Sequence, residues 1–319
     1  MKLALTFPGQ GSQTIGMGKE FYDSFAISRQ VFEEVDETLN QKLSSIIFEG
    51  TSDELTLTEN TQPALMAVSI AIIRALESEL GMQLASHVTL MAGHSLGEYT
   101  ANCAAGTFTL ADTARLLRIR GSAMQKAVPV GQGAMAAILN LPIEAVEIIA
   151  MDAAQGQVCV VANDNSDGQV VISGHKEAVD RAIPLALERG AKRALLLSVS
   201  APFHSPLMEP AASVMAESLD LVSSSIPKCS ILTNVTASLV SDDEILKRLL
   251  VEQVTGRVRW RESMTGLPLH GITDCIEVGA GKVLTGLIKR SAPDIKASSM
   301  NTIDDMKIFI DTIGKQLIT

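Results

Sequence analysis

The segment around residue 93 constrains the fold of this chain more than any other. Val88–Ala92 is a short, largely apolar run that stops at Gly93, and helical character resumes after Ser95 and continues through Ala105. Five residues closed by glycine are too few for a buried helix and suit a buried strand. A strand that passes directly into a helix is half of a crossover unit, and crossovers belong to parallel sheets. The same alternation recurs along the chain. Leu3–Phe7 reads as a strand ending in the turn Pro8-Gly9-Gln10-Gly11-Ser12, followed by helical patterning over Lys19–Leu39. Thr61-Gln62-Pro63 then opens an apolar helix over Ala64–Leu80 with Pro63 in its first turn, and a further helix is expected over Leu110–Ala127. Towards the end come an amphipathic helix after Pro210, a strand at Ser230–Asn234, a helix at Glu244–Gln253, a strand at Cys275–Val278, and a last pair of helices after Gly279-Ala280-Gly281. The expected class is α/β, with a mostly parallel sheet covered on both faces.

The middle of the chain breaks this rhythm. Gly133–Asn140 reads as a strand, Pro142–Ala154 as a helix, and Val158–Ala162 and Gln169–Ser173 as two strands joined by a turn over Asn163–Gly168. Lys176–Glu188 is a helix and Ala194–Val199 a strand, which completes the β-α-β-β-α-β order of a ferredoxin-like unit. The expected organisation is a small subdomain, residues 129–198, inserted into a larger discontinuous domain made of residues 1–128 and 199–319.

Composition excludes several functions. A net charge of -10 argues against general affinity for nucleic acid or anionic membranes. The longest apolar stretches fall short of a bilayer span, and Met1–Phe7 is too short for a signal peptide. The four cysteines, Cys103, Cys159, Cys229 and Cys275, form no C-x-x-C pair and read as reduced core thiols of a cytoplasmic protein.

Chemistry concentrates at Gly93-His94-Ser95-Leu96-Gly97, a G-x-S-x-G sequence between strand and helix. The glycines permit a sharp turn that lifts the Ser95 hydroxyl to a helix N-terminus, where free N–H groups can receive developing negative charge. The bland alternative is a glycine-serine turn capping a helix. A nucleophilic serine also needs a base. His94 adjoins Ser95 and diverges from it on an elbow, His87 and His270 lie in polar loops, and His175 opens a helix of the middle unit. His204 directly follows a strand and sits between Pro202 and Pro206, although a lone loop histidine is more often a surface residue. No H-E-x-x-H or clustered Cys/His pattern supports a metal, and no glycine turn has a dinucleotide or Walker setting.

Five blocks together resemble the malonyl-CoA:acyl-carrier-protein transacylases: Phe7-Pro8-Gly9-Gln10-Gly11-Ser12-Gln13, Gly93-His94-Ser95-Leu96-Gly97-Glu98, Arg120-Gly121 with Met124-Gln125, Ala201-Pro202-Phe203-His204-Ser205, and Glu277–Leu284. They fall in that family's order and span the chain. The resemblance implies an α/β-hydrolase-like large domain carrying a ferredoxin-like insertion. It implies Ser95 as nucleophile, His204 as general base, and the N–H groups of Gln10 and Leu96 as oxyanion hole. Arg120 would hold the malonyl carboxylate, and a Gln253 carbonyl would orient the histidine in place of a triad acid. His94, Met124 and Phe203 complete the implied substrate-binding set, with Phe203 filling the space an α-methyl branch would need. Near Gln253 the chain departs from the family, having Gly256-Arg257 rather than a proline before Val258-Arg259-Trp260. The implied partners are malonyl-CoA and holo acyl carrier protein, in a monomer serving fatty-acid synthesis, with no cofactor beyond the coenzyme A thioester. An acidic carrier would need basic residues to dock on, the candidates being Lys126, Arg189, Lys192, Arg193, Lys282, Lys289 and Arg290. The rival readings are a serine hydrolase such as a thioesterase, and a non-catalytic carrier-binding protein. The chain order, with more than a hundred residues after His204, and the cationic Arg120 disfavour the first, and the presence of nucleophile, base and arginine together disfavours the second.

Overall fold

A computed structural model describes residues 2–199 and 201–318, so Met1 and Ser200, which fall in two of the segments read above, lie outside the described residues. Its larger sheet has six strands: β1 (Leu3–Phe7), β2 (Leu90–Gly93), β7 (Ser230–Leu232), β8 (Leu239–Val240), β9 (Asp274–Val278) and β10 (Lys296–Met300). They are ordered β10-β9-β1-β2-β7-β8, and every pairing is parallel except that of β7 with β8. A separate four-stranded sheet contains β3 (Gly133–Leu139), β4 (Cys159–Ser166), β5 (Gln169–His175) and β6 (Arg193–Leu196), ordered β4-β5-β3-β6 and antiparallel throughout. The mixed α/β class with a mostly parallel sheet therefore holds.

β1 is buried at every position because it lies between β9 and β2, inside the sheet, where both faces are covered. Its register with β2 sets Phe7 beside Gly93, so the two strands end together at their carboxyl edge. Ligands of open parallel sheets bind at that edge. The Thr58–Leu80 helix packs into the core and is buried at every position from Ala64 to Leu76 except Arg74, so it is apolar around nearly its whole circumference.

Several boundaries differ from expectation. Pro63 sits inside the Thr58–Leu80 helix and not in its first turn, because Leu57 caps the start and the Thr61 amide already reaches the Leu57 carbonyl. The helical stretch at Lys19–Leu39 is two helices broken at Phe25, whose backbone is extended. Asn163–Ser166 belongs to β4 and leaves only Asp167-Gly168 as the turn. Tertiary contacts hold these polar residues in the strand: the Asp164 carboxylate takes the Arg261 guanidinium at 2.9 Å, and the Asp164 amide donates to the Val258 carbonyl. Between the last helices lies an unforeseen strand, β10, whose Lys296-Ala297-Ser298-Ser299 gives no apolar signal because it is an edge strand. All four cysteines are buried thiols. Among the described residues no helix is long and apolar enough to cross a membrane, and no cluster of three His, Cys, Asp or Glu side chains is placed to hold a metal ion.

Candidate active site

The elbow after β2 is tight. Ser95 takes φ 54° and ψ -111°, a combination L-residues rarely adopt. Such a turn needs close backbone approach, and the glycines allow it. A methyl group on Gly93 would lie 1.9 Å from the Gly97 carbonyl, and one on Gly97 would lie 2.3 Å from the Phe7 carbonyl oxygen. The Leu96–Ala105 helix starts at the next residue, so the Leu96 amide is a first-turn N–H with no acceptor inside its helix.

Ser95 Oγ lies 2.8 Å from His204 Nε2. On the other side of the ring, Nδ1 is 2.8 Å from the Gln253 main-chain carbonyl and 3.1 Å from that of Gly256. Carbonyl oxygens only accept, so the proton sits on Nδ1 and Nε2 is left to accept the serine proton. Burial, and after it the Arg120 charge, bring the His204 ring down to about 3. The His204 ring is therefore neutral at physiological pH. A lowered histidine also weakens the fold in acid, since between about pH 6.5 and 3 the unfolded chain binds the proton that the folded chain refuses. In an NMR titration the His204 ring resonances should stay in the neutral form from pH 8 to about pH 5; a midpoint near the ordinary histidine value would contradict this environment.

Arg120 is 1 % exposed and reaches the same point from the Leu110–Lys126 helix. That helix crosses the start of the Thr58–Leu80 helix at Gly121, where a methyl group would lie 2.6 Å from the Glu59 Cα. Arg120 Nη2 donates to Ser95 Oγ at 3.1 Å and to Gln253 Oε1 at 2.8 Å, and Nη1 donates to Gln62 Oε1 at 2.9 Å. Its guanidinium carbon lies 5.5 Å from the centre of the Tyr99 ring. All its hydrogen-bond acceptors are neutral oxygens, and among the described residues no carboxylate comes within ion-pair distance of it.

These groups line a cavity of about 330 Å³ between the two sheets. Gln10, Ser95, Leu96, Arg120, Met124, Phe203 and His204 line one part of it, and Met135, Asn163, Asn165 and Val171 of the smaller sheet line another. His94 also lines it, with Nε2 at 2.8 Å from Asn165 Oδ1 and its ring against Trp260. Gln253 lies behind Arg120 and His204 and touches both. The departure from the family pattern leaves it in place: Arg257 turns outward to Glu147, while the Gly256 carbonyl supplies the second acceptor for His204. His87 is exposed and His270 half-buried, and neither lines this cavity.

Four residues at the site carried no assignment from the sequence. In the sequence Gln62 belongs to a helix start, Glu98 ends the elbow block, Asn165 falls in an expected turn and Asn234 closes an expected strand. Glu98 is fully buried; burial pushes its carboxyl up to about 7, against the pull of Gln253, Asn234 and Arg120.

Comparison with known proteins decides the family, because the acyl transferase domain matches residues 5–304. The chain belongs to the acyl transferase family. It is 43% identical to the malonyl CoA-acyl carrier protein transacylase of Bacillus subtilis over 99% of this chain and 98% of that one. The crystal structure of acyl-carrier-protein-S-malonyltransferase from Bartonella henselae superposes with a TM-score of 0.96 at 54% identity, covering 98% of this chain and 100% of that one. A structure of a type II polyketide acyl-carrier protein in complex with its malonyl-transacylase superposes with a TM-score of 0.94 at 39% identity, covering 98% and 99%. The resemblance read from the five sequence blocks thus extends over the whole of this acyltransferase.

Proposed function

We propose that this acyltransferase moves a malonyl group from malonyl-CoA to the phosphopantetheine thiol of acyl carrier protein, in two half-reactions through an ester on Ser95. The observation that carries this reading is Arg120. A buried guanidinium whose hydrogen bonds go to neutral oxygens is costly to keep, and a substrate carboxylate entering beside the nucleophile would repay the cost. The names of the relatives above support the same donor and acceptor.

In the first half-reaction Ser95 Oγ attacks the thioester carbonyl while its proton passes to His204 Nε2. The oxyanion would be received by the amides of Leu96 and Gln10. The Ser95 amide is not available for this, since it donates to Asn234 Oδ1 at 2.8 Å. The carbon–sulfur bond then breaks, and His204 returns the proton to the coenzyme A sulfur. In the second half-reaction the carrier thiol gives its proton to His204, its sulfur attacks the ester, and Ser95 leaves with the proton. A thiol leaves more readily than an amine, so a serine–histidine pair oriented by main-chain carbonyls suffices without a carboxylate.

The same reading places residues 1–128 and 199–319 in a discontinuous, hydrolase-like catalytic domain and 129–198 in a ferredoxin-like insertion. It also assigns a cytoplasmic monomer in fatty-acid synthesis that needs no cofactor. The carrier would dock on a local patch of exposed basic residues. Among the candidates Arg189 is already paired with Asp152, and Arg290 is bonded to Ser166 and Gln169. Phe203 lines the cavity and is buried, so Phe203→Ser should raise methylmalonyl transfer relative to malonyl. A methyl group is worth about 1–3 kcal/mol in such a pocket, and an unchanged ratio of the two kcat/KM values would remove Phe203 from it.

The direct test is intact mass after mixing with malonyl-CoA, and again after adding holo carrier protein. One malonyl group that appears on the protein and moves to the carrier is the expected result. Free malonate with an unloaded carrier would mean a hydrolase, and no adduct would end the malonyl reading.

A further inference from the structure

Beneath the elbow lies a buried polar network that the two half-reactions do not use. Asn234, 1 % exposed, spans the turn: Oδ1 accepts the Ser95 amide at 2.8 Å, and Nδ2 donates to the Gly93 carbonyl at 2.7 Å. It therefore holds the two peptide units on either side of His94, immediately before Ser95, whose φ is positive. Glu98, on the first turn of the helix that Ser95 precedes, receives two donors on one oxygen: the Asn234 amide at 3.1 Å and Gln253 Nε2 at 2.7 Å. Gln253 Nε2 also donates to the Ser95 carbonyl at 3.0 Å.

The chemistry of these contacts sets directions. The Glu98 oxygen that takes the Asn234 main-chain N–H accepts from Gln253 as well, and so does the Ser95 carbonyl, so the Gln253 amide turns its NH2 to both. Its oxygen then faces Arg120, an arrangement the guanidinium, which only donates, requires. With the amide reversed, an NH2 would oppose an N–H and Arg120 would keep only its bonds to Gln62 and Ser95. The main chain of the same Gln253 carries the carbonyl on His204 Nδ1.

We propose that Asn234 and Glu98 form a buried pair of positioning residues for acyl transfer: Asn234 locks the Ser95 elbow and frees the Leu96 amide for the oxyanion, while Glu98 sets the sense of the Gln253 amide that aims Arg120 at the acyl carboxylate. This rests on the malonyl reading for the Arg120 half alone. The two residues should leave different signatures. Asn234 acts on the nucleophile, so its loss touches every acyl group. Glu98 acts through Arg120, so its loss falls on acyl groups that carry a carboxylate.

The test uses the full chain and three rates: kcat/KM for malonyl-CoA, kcat/KM for acetyl-CoA, and labelling of Ser95 by a fluorophosphonate. Asn234→Ala should slow all three by about tenfold or more, since small misplacements of a nucleophile are costly. Glu98→Met, which removes the acceptor at similar volume, should lower the malonyl-to-acetyl ratio by about tenfold while labelling changes by less than about threefold. Either variant could fail to fold, so Asn234→Asp, which keeps the acceptor for Ser95, and Glu98→Gln, which keeps one oxygen for Gln253, are measured beside them. Each should show the same signature in weaker form. Wild-type rates in these variants, or Glu98 variants that lose both thioesters and labelling equally, would overturn the proposal. A wild-type protein that the fluorophosphonate labels but malonyl-CoA does not acylate would instead sink the malonyl reading, leaving the Asn234 half to be judged by labelling alone.

Discussion

Ser95→Ala and His204→Ala should each lower malonyl transfer by on the order of 10⁴–10⁶-fold, and the double variant should be little worse than either single one. The near-equality follows from geometry. Ser95 Oγ and His204 Nε2 share one hydrogen bond at 2.8 Å, and the ring tautomer that accepts the serine proton is imposed from behind by the Gln253 and Gly256 carbonyls. Removing either end leaves the other with nothing to do, so the losses do not add. Intact mass should find no malonyl adduct on Ser95→Ala and only slow formation on His204→Ala. Additive losses, or an adduct that survives in Ser95→Ala, would show that the acyl group is carried elsewhere.

Arg120→Gln should cost malonyl-CoA about 2–5 kcal/mol in kcat/KM, roughly 30- to 5,000-fold, the range for removing one member of a buried charge pair. Acetyl-CoA lacks the carboxylate and should lose far less, so that the preference for malonyl falls by at least about tenfold. The same substitution should keep or raise the melting temperature, because the free protein buries Arg120 on neutral oxygens of Gln62, Gln253 and Ser95, with no carboxylate of the described residues within ion-pair distance. Equal losses for the two thioesters would mean that Arg120 organises Ser95 without reading the acyl group.

Those predictions rest on residues of unequal visibility in the sequence. Ser95 was legible because an elbow needs small residues at fixed offsets next to a strand, and the same glycines that mark it are those a methyl group would forbid. Arg120 was legible in part: its spacing from Leu117 and Met124 put it beside a buried face, although its direction depends on the crossing at Gly121. His204 was one loop histidine among several until the family resemblance singled it out. The positive φ of 55° that turns its ring towards Ser95 leaves no local sign in Ala201-Pro202-Phe203-His204. Glu98, Asn234, Gln62 and Asn165 were invisible as site residues. Each acts through a partner 58 or more positions away, as Asn234 does across 139 positions to the Ser95 amide and Gln62 across 58 to Arg120.

Local sequence alone determined the periodicities and close approaches: the strand–glycine–helix units, the apolar Ala64–Leu76 helix, the elbow, and the β-α-β-β-α-β order of the middle segment. These depend on side-chain spacing and on the space a Cβ needs, and both can be read within a few residues. Tertiary structure decided what depends on direction at long range. It held the polar Asn163–Ser166 in a strand through Arg261 and Val258, made a strand of Lys296–Met300 by pairing it at a sheet edge, and fixed the sense of the Gln253 amide from a carboxylate on another helix. A hydrogen bond has a donor and an acceptor that must meet at a fixed distance, and only the folded chain says which groups meet.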